Sequence, residues 1–301
     1  MKVRQILVAT DLSDAAEAAY RHAEAFARAF GARVTLLYVD TVVPMGFHTS
    51  DALIEHINKV QSQISERLNE AQQGLAERGV DCDAEVVVGD AAESIMDFIG
   101  RRGVDLLIIA RRSRTMLERL LVGSTTRKLV RHLKIPALVV DAQDAAGGGE
   151  PIVYGSLLTT TDFSQDSHLG LQRAVELSAV FEAPLTVLHV MAMPVLVPAL
   201  PGEAGVPVRG DFWETLRRFY EGELSSTVLK MDERARYKVI VSAEVAPTIV
   251  SAAEEAGASL IVVPSHGKGG FKANIFGSTT ERLLELSTRP VLILPRDWLR
   301  R

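Results

Sequence analysis

Cysteine is nearly absent from this sequence, and no long apolar run is present. Cys82 is the single cysteine among 301 residues, which excludes an internal disulfide and any paired-cysteine zinc or redox motif. No apolar stretch reaches the length of about 20 residues that a membrane-spanning helix needs. The chain opens on a strand-like run instead of a signal peptide. We therefore expect a cytoplasmic protein that makes no membrane contact.

An excess of positive charge is also missing. The net charge is −5, which argues against general nucleic-acid binding. No histidine is spaced with cysteine or carboxylates as in a metal site, and no G-x-S-x-G elbow occurs, so we expect neither a metal centre nor a hydrolase triad. Hydrophobic residues make up 47% and charged residues 24%, as in globular proteins with sizeable cores.

An internal repeat dominates the rest of the chain. The second copy reads Pro-Ser-His-Gly (264–267), nine residues, then Gly-Ser-Thr-Thr (277–280). The first copy reads Ala-Arg-Arg-Ser (110–113), nine residues, then Gly-Ser-Thr-Thr (123–126). Both copies follow an apolar run of strand character. The chain is therefore predicted to be a tandem repeat.

The repeat also includes the beginning of each half. Asp11 follows an apolar run and stands 28 residues before Val39, and Asp162 stands 28 residues before Val190 in the same way. Strand, acidic turn, helix and second strand are thus repeated without a gap. We predict domains at 1–143 and 150–301, with a flexible linker assigned to Asp141–Glu150 that contains Gly147-Gly148-Gly149.

Short β-rich runs alternate with helical patterns in both halves, which predicts an α/β fold with two doubly wound, Rossmann-like parallel sheets. Predicted strands lie near 4–9, 33–39, 83–88, 104–110, 136–140, 153–159, 184–190, 236–242, 258–264 and 290–295. Predicted helices lie near 14–30, 50–78, 91–101, 123–133, 166–181, 211–234, 246–256 and 278–288. Ser13 is a candidate N-cap and Gly31 a candidate stop for the first helix. A proline-rich stretch at 191–210 is predicted to be a lid or a mobile insertion.

Glycines and hydroxyls just beyond a strand indicate a phosphate site. Small residues let backbone N–H groups approach an anion, and the helix beginning near Ser278 offers its positive N-terminal end. Asp162 is expected at the same edge, because ligands of parallel sheets bind outside the carboxyl ends of the strands. The alternative is a glycine-rich turn with an ordinary serine cap.

These residues together resemble the universal stress protein family over nearly the whole chain, in two copies. Members carry an acidic residue after the first strand and the ATP motif G-x2-G-x9-G-[ST]. The second half keeps Gly267, Gly277 and Ser278 but has Pro264 in place of the leading glycine. The resemblance implies an adenine nucleotide α-hydrolase-like fold and ATP as ligand, with any Mg²⁺ carried by the nucleotide. It implies contacts from Asp162, Val190, Pro264, His266, Gly267, Gly277, Ser278, Thr279 and Thr280.

The first half departs further from the motif. Ala110 and Ser113 replace both leading glycines, and each added Cβ limits close approach. Its weaker candidates are Asp11, Val39, Ser113, Gly123, Ser124 and Thr125. Arg111, Arg112 and Arg114, assigned to the loop, could bind an anion through side chains instead. The alternative is a solvated basic face.

Three functional hypotheses remain open. The first is a stress-response protein whose C-terminal domain binds ATP and acts by regulation, with slow hydrolysis at most. The second is an α-hydrolase-like enzyme, although the S-G-G-x-D-S loop of such pyrophosphatases is missing. The third is a ligand-free scaffold. The family also implies two domains packed as a pseudo-dimer about a pseudo-twofold axis, with edge strands 137–140 and 291–294 meeting, and it leaves a homodimer open.

Overall fold

The computed structural model describes residues 1–41, 51–111, 123–142, 151–193, 210–267 and 277–301. Several predictions concern positions outside these ranges, namely those on Ser113, Arg112, Arg114, the glycine linker and most of the proline-rich stretch. The chain divides into two compact units, Met1–Val153 (unit 1) and Tyr154–Arg301 (unit 2). Within the described ranges, no helix is both long and apolar enough to cross a bilayer.

Unit 1 alternates strands and helices, as predicted. Its described elements are β1 (Gln5–Thr10), α1 (Ala16–Phe30), β2 (Arg33–Asp40), α2 (Asp51–Glu77), β3 (Cys82–Val88), α3 (Ala91–Arg102), β4 (Leu106–Arg111), α4 (Ser124–His132) and β5 (Ala137–Asp141). The strands lie in the order β3-β2-β1-β4-β5, and all neighbouring pairs are parallel.

Unit 2 repeats this arrangement and adds a short terminal helix. Its described elements are β6 (Leu157–Thr160), α5 (Gln165–Val180), β7 (Leu185–Ala192), α6 (Gly210–Met231), β8 (Arg236–Ser242), α7 (Val245–Glu255), β9 (Leu260–Pro264), α8 (Ser278–Leu286), β10 (Val291–Leu294) and α9 (Arg296–Leu299). The order β8-β7-β6-β9-β10 matches that of unit 1, again with parallel pairs. The predicted pair of doubly wound sheets is confirmed.

The central strands form the core of each unit. The run 106–108 in β4 and the run 260–262 in β9 are fully buried, because helices cover both faces of a parallel sheet. Continuous apolar runs at these positions are what such burial requires. Each sheet therefore presents its polar residues at the strand ends, where the chain turns toward a helix.

Two predicted element boundaries were wrong. Helix α1 begins at Ala16, and Ser13 does not cap it: the Ser13 hydroxyl donates to Asp11 instead. Strand β6 begins at Leu157 and not at 153: the Leu157 N–H donates to the Pro184 carbonyl, and pairing with β7 starts at Leu185. The predicted stop at Gly31 is confirmed by its left-handed φ of 63°.

Candidate functional site

The candidate site of unit 2 lies where β6 and β9 end. The two strands are parallel neighbours, so their carboxyl ends lie at the same edge of the sheet. The turn carrying Asp162 follows β6, and the segment from Ser265 to Gly267 follows β9. The tandem motif and the acidic residue, 100 positions apart in the sequence, therefore meet at one edge.

Asp162 is held in a tight turn. Its Oδ1 accepts the backbone N–H of Ser164 at 2.9 Å, and the Thr161 hydroxyl accepts the N–H of Phe163 at 3.1 Å. Phe163 has a left-handed φ of 60°, which is strained for a residue with a side chain. Ser164 then caps α5 by accepting the N–H of Ser167. The carboxylate is thereby fixed at the entrance to the helix.

Gly267 lies directly against that carboxylate. A Cβ atom built on Gly267 would collide with Oδ2 of Asp162 and lie 3.4 Å from its Cγ. Only glycine leaves the carboxylate in this position. The Asp162 carboxylate therefore requires a glycine at position 267. The sequence had indicated a different reason, the close approach of a phosphate to the backbone.

A second close approach is that of Gly277 to the backbone of Ser265, at the end of β9. Gly277 donates its N–H to the Ser265 carbonyl at 3.1 Å, and a Cβ on Gly277 would lie 3.2 Å from that same oxygen. Ser265 is buried, and its hydroxyl lies 2.8 Å from Nδ1 of His266 while accepting the N–H of Arg296 at 3.2 Å. These contacts fix the orientation of the His266 ring at the carboxyl end of β9.

Helix α8 begins at this point. Gly277 is its N-cap, Ser278 and Thr279 are exposed in the first turn, and Thr280 is buried. The Thr280 hydroxyl donates to the Pro264 carbonyl at 3.3 Å and so ties α8 to the end of β9. The backbone N–H groups of a first helical turn have no partner within the helix and attract anions. The arrangement can hold a phosphate between Gly267 and Ser278.

Pro264 is accommodated by a glycine in the neighbouring helix. It is the last residue of β9, beyond the point where pairing with β6 ends at Val262, so its missing N–H removes no bond from that ladder. A Cβ on Gly170 would lie 3.6 to 3.8 Å from the proline ring. The matching residues in unit 1 are Ala110 and Ala19. The proline is thus accepted by close packing at α5.

Val190 lies on the neighbouring strand at the same edge. The N–H of Thr161 donates to the Leu188 carbonyl, which brings the end of β6 beside the end of β7, where Val190 is half-buried. His189 is buried, and its Nδ1 lies 2.8 Å from the Thr161 carbonyl oxygen. His189 is therefore a core histidine with a hydrogen-bond partner, and not a ligand-binding group.

Arg296, the first residue of α9, and Arg300, which follows α9, lie close to this edge. Both form ion pairs with the buried Asp166 in the first turn of α5, at 2.9 and 2.8 Å. The C-terminal helix α9 was not predicted, because four residues carry too little periodicity to show it.

Unit 1 has the same acidic turn. Oδ1 of Asp11 accepts the N–H of Ser13 at 3.0 Å, the Thr10 hydroxyl accepts the N–H of Leu12 at 3.0 Å, and Leu12 has a φ of 56°. Val39 is half-buried in β2. The first-half candidates Gly123, Ser124 and Thr125 begin α4, with Gly123 as its N-cap.

The structure corrects the assignment of Arg111 and Asp141. Arg111 is the last residue of β4 and not part of the loop, and Asp141 ends β5 instead of starting the linker. Their side chains form an ion pair of 2.7 Å, with 7% and 1% of the side chains exposed. The sequence concealed this pair because the two residues are 30 positions apart. The charge of Arg111 is matched within the protein.

Other titratable groups play structural roles. Burial raises the pKa of the Cys82 thiol to about 12, which keeps this cysteine in its unreactive thiol form. Among the described residues, no group of three His, Cys, Asp or Glu side chains could hold a metal ion.

The fold and this site define a tandem α/β protein, each unit of which carries an acidic turn at the carboxyl end of its first strand. The model of the universal stress protein family matches residues 2–141 and 154–295. The chain therefore belongs to the universal stress protein family, in two tandem copies.

Relatives agree with this assignment. A universal stress protein of Mycolicibacterium smegmatis is 25% identical over 298 residues, covering 96% of each chain. The universal stress protein YxiE of Bacillus subtilis is 33% identical over 153 residues, covering 47% of this chain and 99% of its own. A solved universal stress protein of Archaeoglobus fulgidus shares the fold, with 21% identity, a TM-score of 0.66 and coverage of 98% and 97%.

Proposed function

We propose that unit 2 binds ATP or a related adenine nucleotide and that the protein acts in the stress response through this binding, by regulation and not by catalysis. The observation that carries the proposal is the contact between Gly267 and the Asp162 carboxylate. It puts an acceptor for ribose or base hydrogen bonds beside a loop that leads to the N-terminus of α8.

Different residues of the site would contact different parts of the nucleotide. Asp162 would accept hydrogen bonds from the ribose or the adenine, and Val190 would border the adenine. The backbone from His266 to Gly267 and the first turn of α8 (Ser278 and Thr279) would hold the phosphates, because N–H groups at a helix start favour negative charge, and Gly277 would border them without a side chain. Any Mg²⁺ would arrive on the nucleotide.

Slow hydrolysis at most is expected. Fast phosphoryl transfer needs a positioned base, a metal and cations that stabilise the developing charge. Nδ1 of His266 is already engaged with Ser265, and Arg296 and Arg300 are both paired with Asp166. Turnover of about 1 s⁻¹ or faster that disappears in His266→Ala would contradict a regulatory role.

Mass spectrometry of nucleotide released from the purified, denatured protein tests which nucleotide the protein binds. A calorimetric titration with ATP then tests the location: we expect one nucleotide per chain and an affinity that falls about tenfold or more in Asp162→Ala, since an acceptor for ligand hydrogen bonds is lost. The matched variant Asp11→Ala should leave the affinity unchanged. Two nucleotides per chain would overturn the restriction to unit 2, and no binding at all would favour a ligand-free scaffold.

A further inference from the structure

We infer that Phe163 is a positioning residue for Asp162: its ring, held between His189 and Tyr220, maintains the strained turn that directs the carboxylate to Gly267. The inference rests on the proposed function only for its effect on affinity. Its structural part concerns the turn itself and is tested separately.

The first step is the contact of three rings. The ring centroid of Phe163 lies 4.7 Å from that of His189, edge-on, and 5.3 Å from that of Tyr220, stacked. His189 and Tyr220 are themselves 4.8 Å apart. Aromatic rings at such separations attract each other beyond their loss of solvent contact. The side chain that follows Asp162 is therefore fixed from two elements, β7 and α6.

The second step is that the same cluster also holds the backbone before Asp162. Nδ1 of His189 lies within hydrogen-bond distance of the Thr161 carbonyl oxygen. Asp162 is thus fixed on both sides, through the Thr161 carbonyl before it and the Phe163 ring after it. His189 touches both, so one buried histidine joins the two supports.

The third step is the strain that this support offsets. Phe163 has a φ of 60°, a conformation that costs free energy for any residue except glycine. Strained residues persist where surrounding contacts determine them. The strain is needed because the left-handed residue turns the chain back, so that the N–H of Ser164 reaches Oδ1 of Asp162 at 2.9 Å.

The first test needs no ligand. Hydrogen exchange of the Ser164 amide measures the bond to Asp162, and the Ser13 amide of unit 1, bonded to Asp11 at 3.0 Å, is an internal reference. We expect Phe163→Leu, which introduces the residue found at position 12, to speed exchange at Ser164 about fivefold, in line with the loss of an aromatic pair. Exchange at Ser13 should not change.

The variants of Tyr220 provide the matched control. Tyr220→Phe keeps the ring and should leave exchange at Ser164 unchanged, whereas Tyr220→Leu should speed it. The double variant Phe163→Leu/Tyr220→Leu should speed exchange by less than the product of the two single effects, because both changes remove the contact between Phe163 and Tyr220. Unchanged exchange in Phe163→Leu, or effects of the two single changes that simply multiply, would overturn the inference.

The second test uses two ligands of different chemistry. Phe163→Leu should weaken ATP about five- to tenfold but leave inorganic tripolyphosphate unaffected, since the tripolyphosphate has no group for Asp162. Equal loss for both probes would indicate general damage to the unit and would contradict positioning. If the wild-type chain binds neither probe, the proposed function fails, while the exchange measurements still decide the role of Phe163.

Discussion

Unit 1 and unit 2 have the same sheet order and the same acidic turn, but they differ where the fourth strand of each unit ends. In unit 1, Arg111 and Asp141 form a buried ion pair at the ends of β4 and β5. The matching positions in unit 2 are Ser265 and Pro295, where the serine hydroxyl accepts the N–H of Arg296 and contacts His266. At these two positions one unit has a pair of opposite charges, and the other has a serine and a proline.

The comparison teaches that the acidic turn belongs to the fold of both units. Leu12 and Phe163 adopt nearly the same left-handed φ, at 56° and 60°, and both aspartates accept an N–H two residues later. The turn therefore cannot distinguish the units. The ends of the fourth strands can, since a buried ion pair lies at one and a serine at the other.

The largest effect is expected from breaking the ion pair of unit 1. Arg111→Met leaves the carboxylate of Asp141 buried without its partner and should destabilise the protein by about 3 to 5 kcal/mol. Urea unfolding measures the loss. The double change Arg111→Met/Asp141→Leu should recover most of it, since no buried charge remains. A stable Arg111→Met protein that had lost an anion-binding site would instead show that this arginine serves a ligand.

Adding one methyl group to the loop of unit 2 should have the next largest effect. Gly267→Ala places a Cβ against Oδ2 of Asp162, so the carboxylate must move, and ATP affinity should fall about 10- to 100-fold, as for the loss of a charged hydrogen bond. Calorimetry measures the affinity. The control is Gly123→Ala, where the methyl meets no described atom within 4 Å. Equal affinity of Gly267→Ala and the wild type would refute the role of the contact.

A smaller effect on stability is expected from removing the serine that precedes the first helix of each unit. Ser164→Ala removes the side chain that accepts the N–H of Ser167 at the start of α5 and should cost about 1 kcal/mol. Ser13→Ala should cost clearly less, because Ser13 caps nothing at α1. Thermal unfolding of the two variants compares them directly. A greater loss in Ser13→Ala would mean that its bond to Asp11 matters more than a cap.

The smallest effect concerns acid stability. The side chain of Asp90 caps α3 by accepting the N–H of Glu93. This hydrogen bond, and after it the bond from Lys128, hold the pKa of the Asp90 carboxyl below its ordinary value. A lowered folded pKa contributes stability above the unfolded value of about 3.9, and this contribution is lost as the pH falls through the folded pKa. Asp90→Asn should therefore flatten the acid side of the stability profile slightly.

The matching residue in unit 2 supplies the control. Glu244 stands at the N-cap of α7 but its side chain caps nothing, so Glu244→Gln should leave the profile unchanged. Urea midpoints measured from pH 3 to pH 7 give both profiles. A larger change for Glu244→Gln than for Asp90→Asn would contradict the assignment of the cap.

Much of the fold was predictable because it depends on local pattern. Short apolar runs between segments of helical periodicity predicted the bounds of the described strands to within a few residues, and Gly31 indicated the end of the first helix. The errors lay at element boundaries. Strand β6 begins four residues later than expected, at Leu157, and Ser13 bonds Asp11 in the turn before α1 instead of capping the helix.

The candidate site was predictable in its residue types but not in its contacts. Spacing linked Asp162 to the loop at 264–280, and it could not show that Gly267 touches the carboxylate. The aromatic support from His189 and Tyr220 left no signal, since ring contacts between β7, α6 and a turn have no fixed spacing in the chain. Gly170 is an unfavourable residue within a helix, and the ring of Pro264 does not require it, since a Cβ there would make an ordinary van der Waals contact at 3.6 to 3.8 Å.

By itself the sequence determined the tandem repeat, the parallel α/β fold and the place of the acidic turn, because hydrophobic periodicity and turn residues act over short distances along the chain. The tertiary structure alone decided that Arg111 is paired with Asp141 and that Gly267 lies against Asp162. The physical reason is that a buried charge or a close approach depends on which strand ends become neighbours, and only the folded sheet brings residues 30 or 100 positions apart into contact.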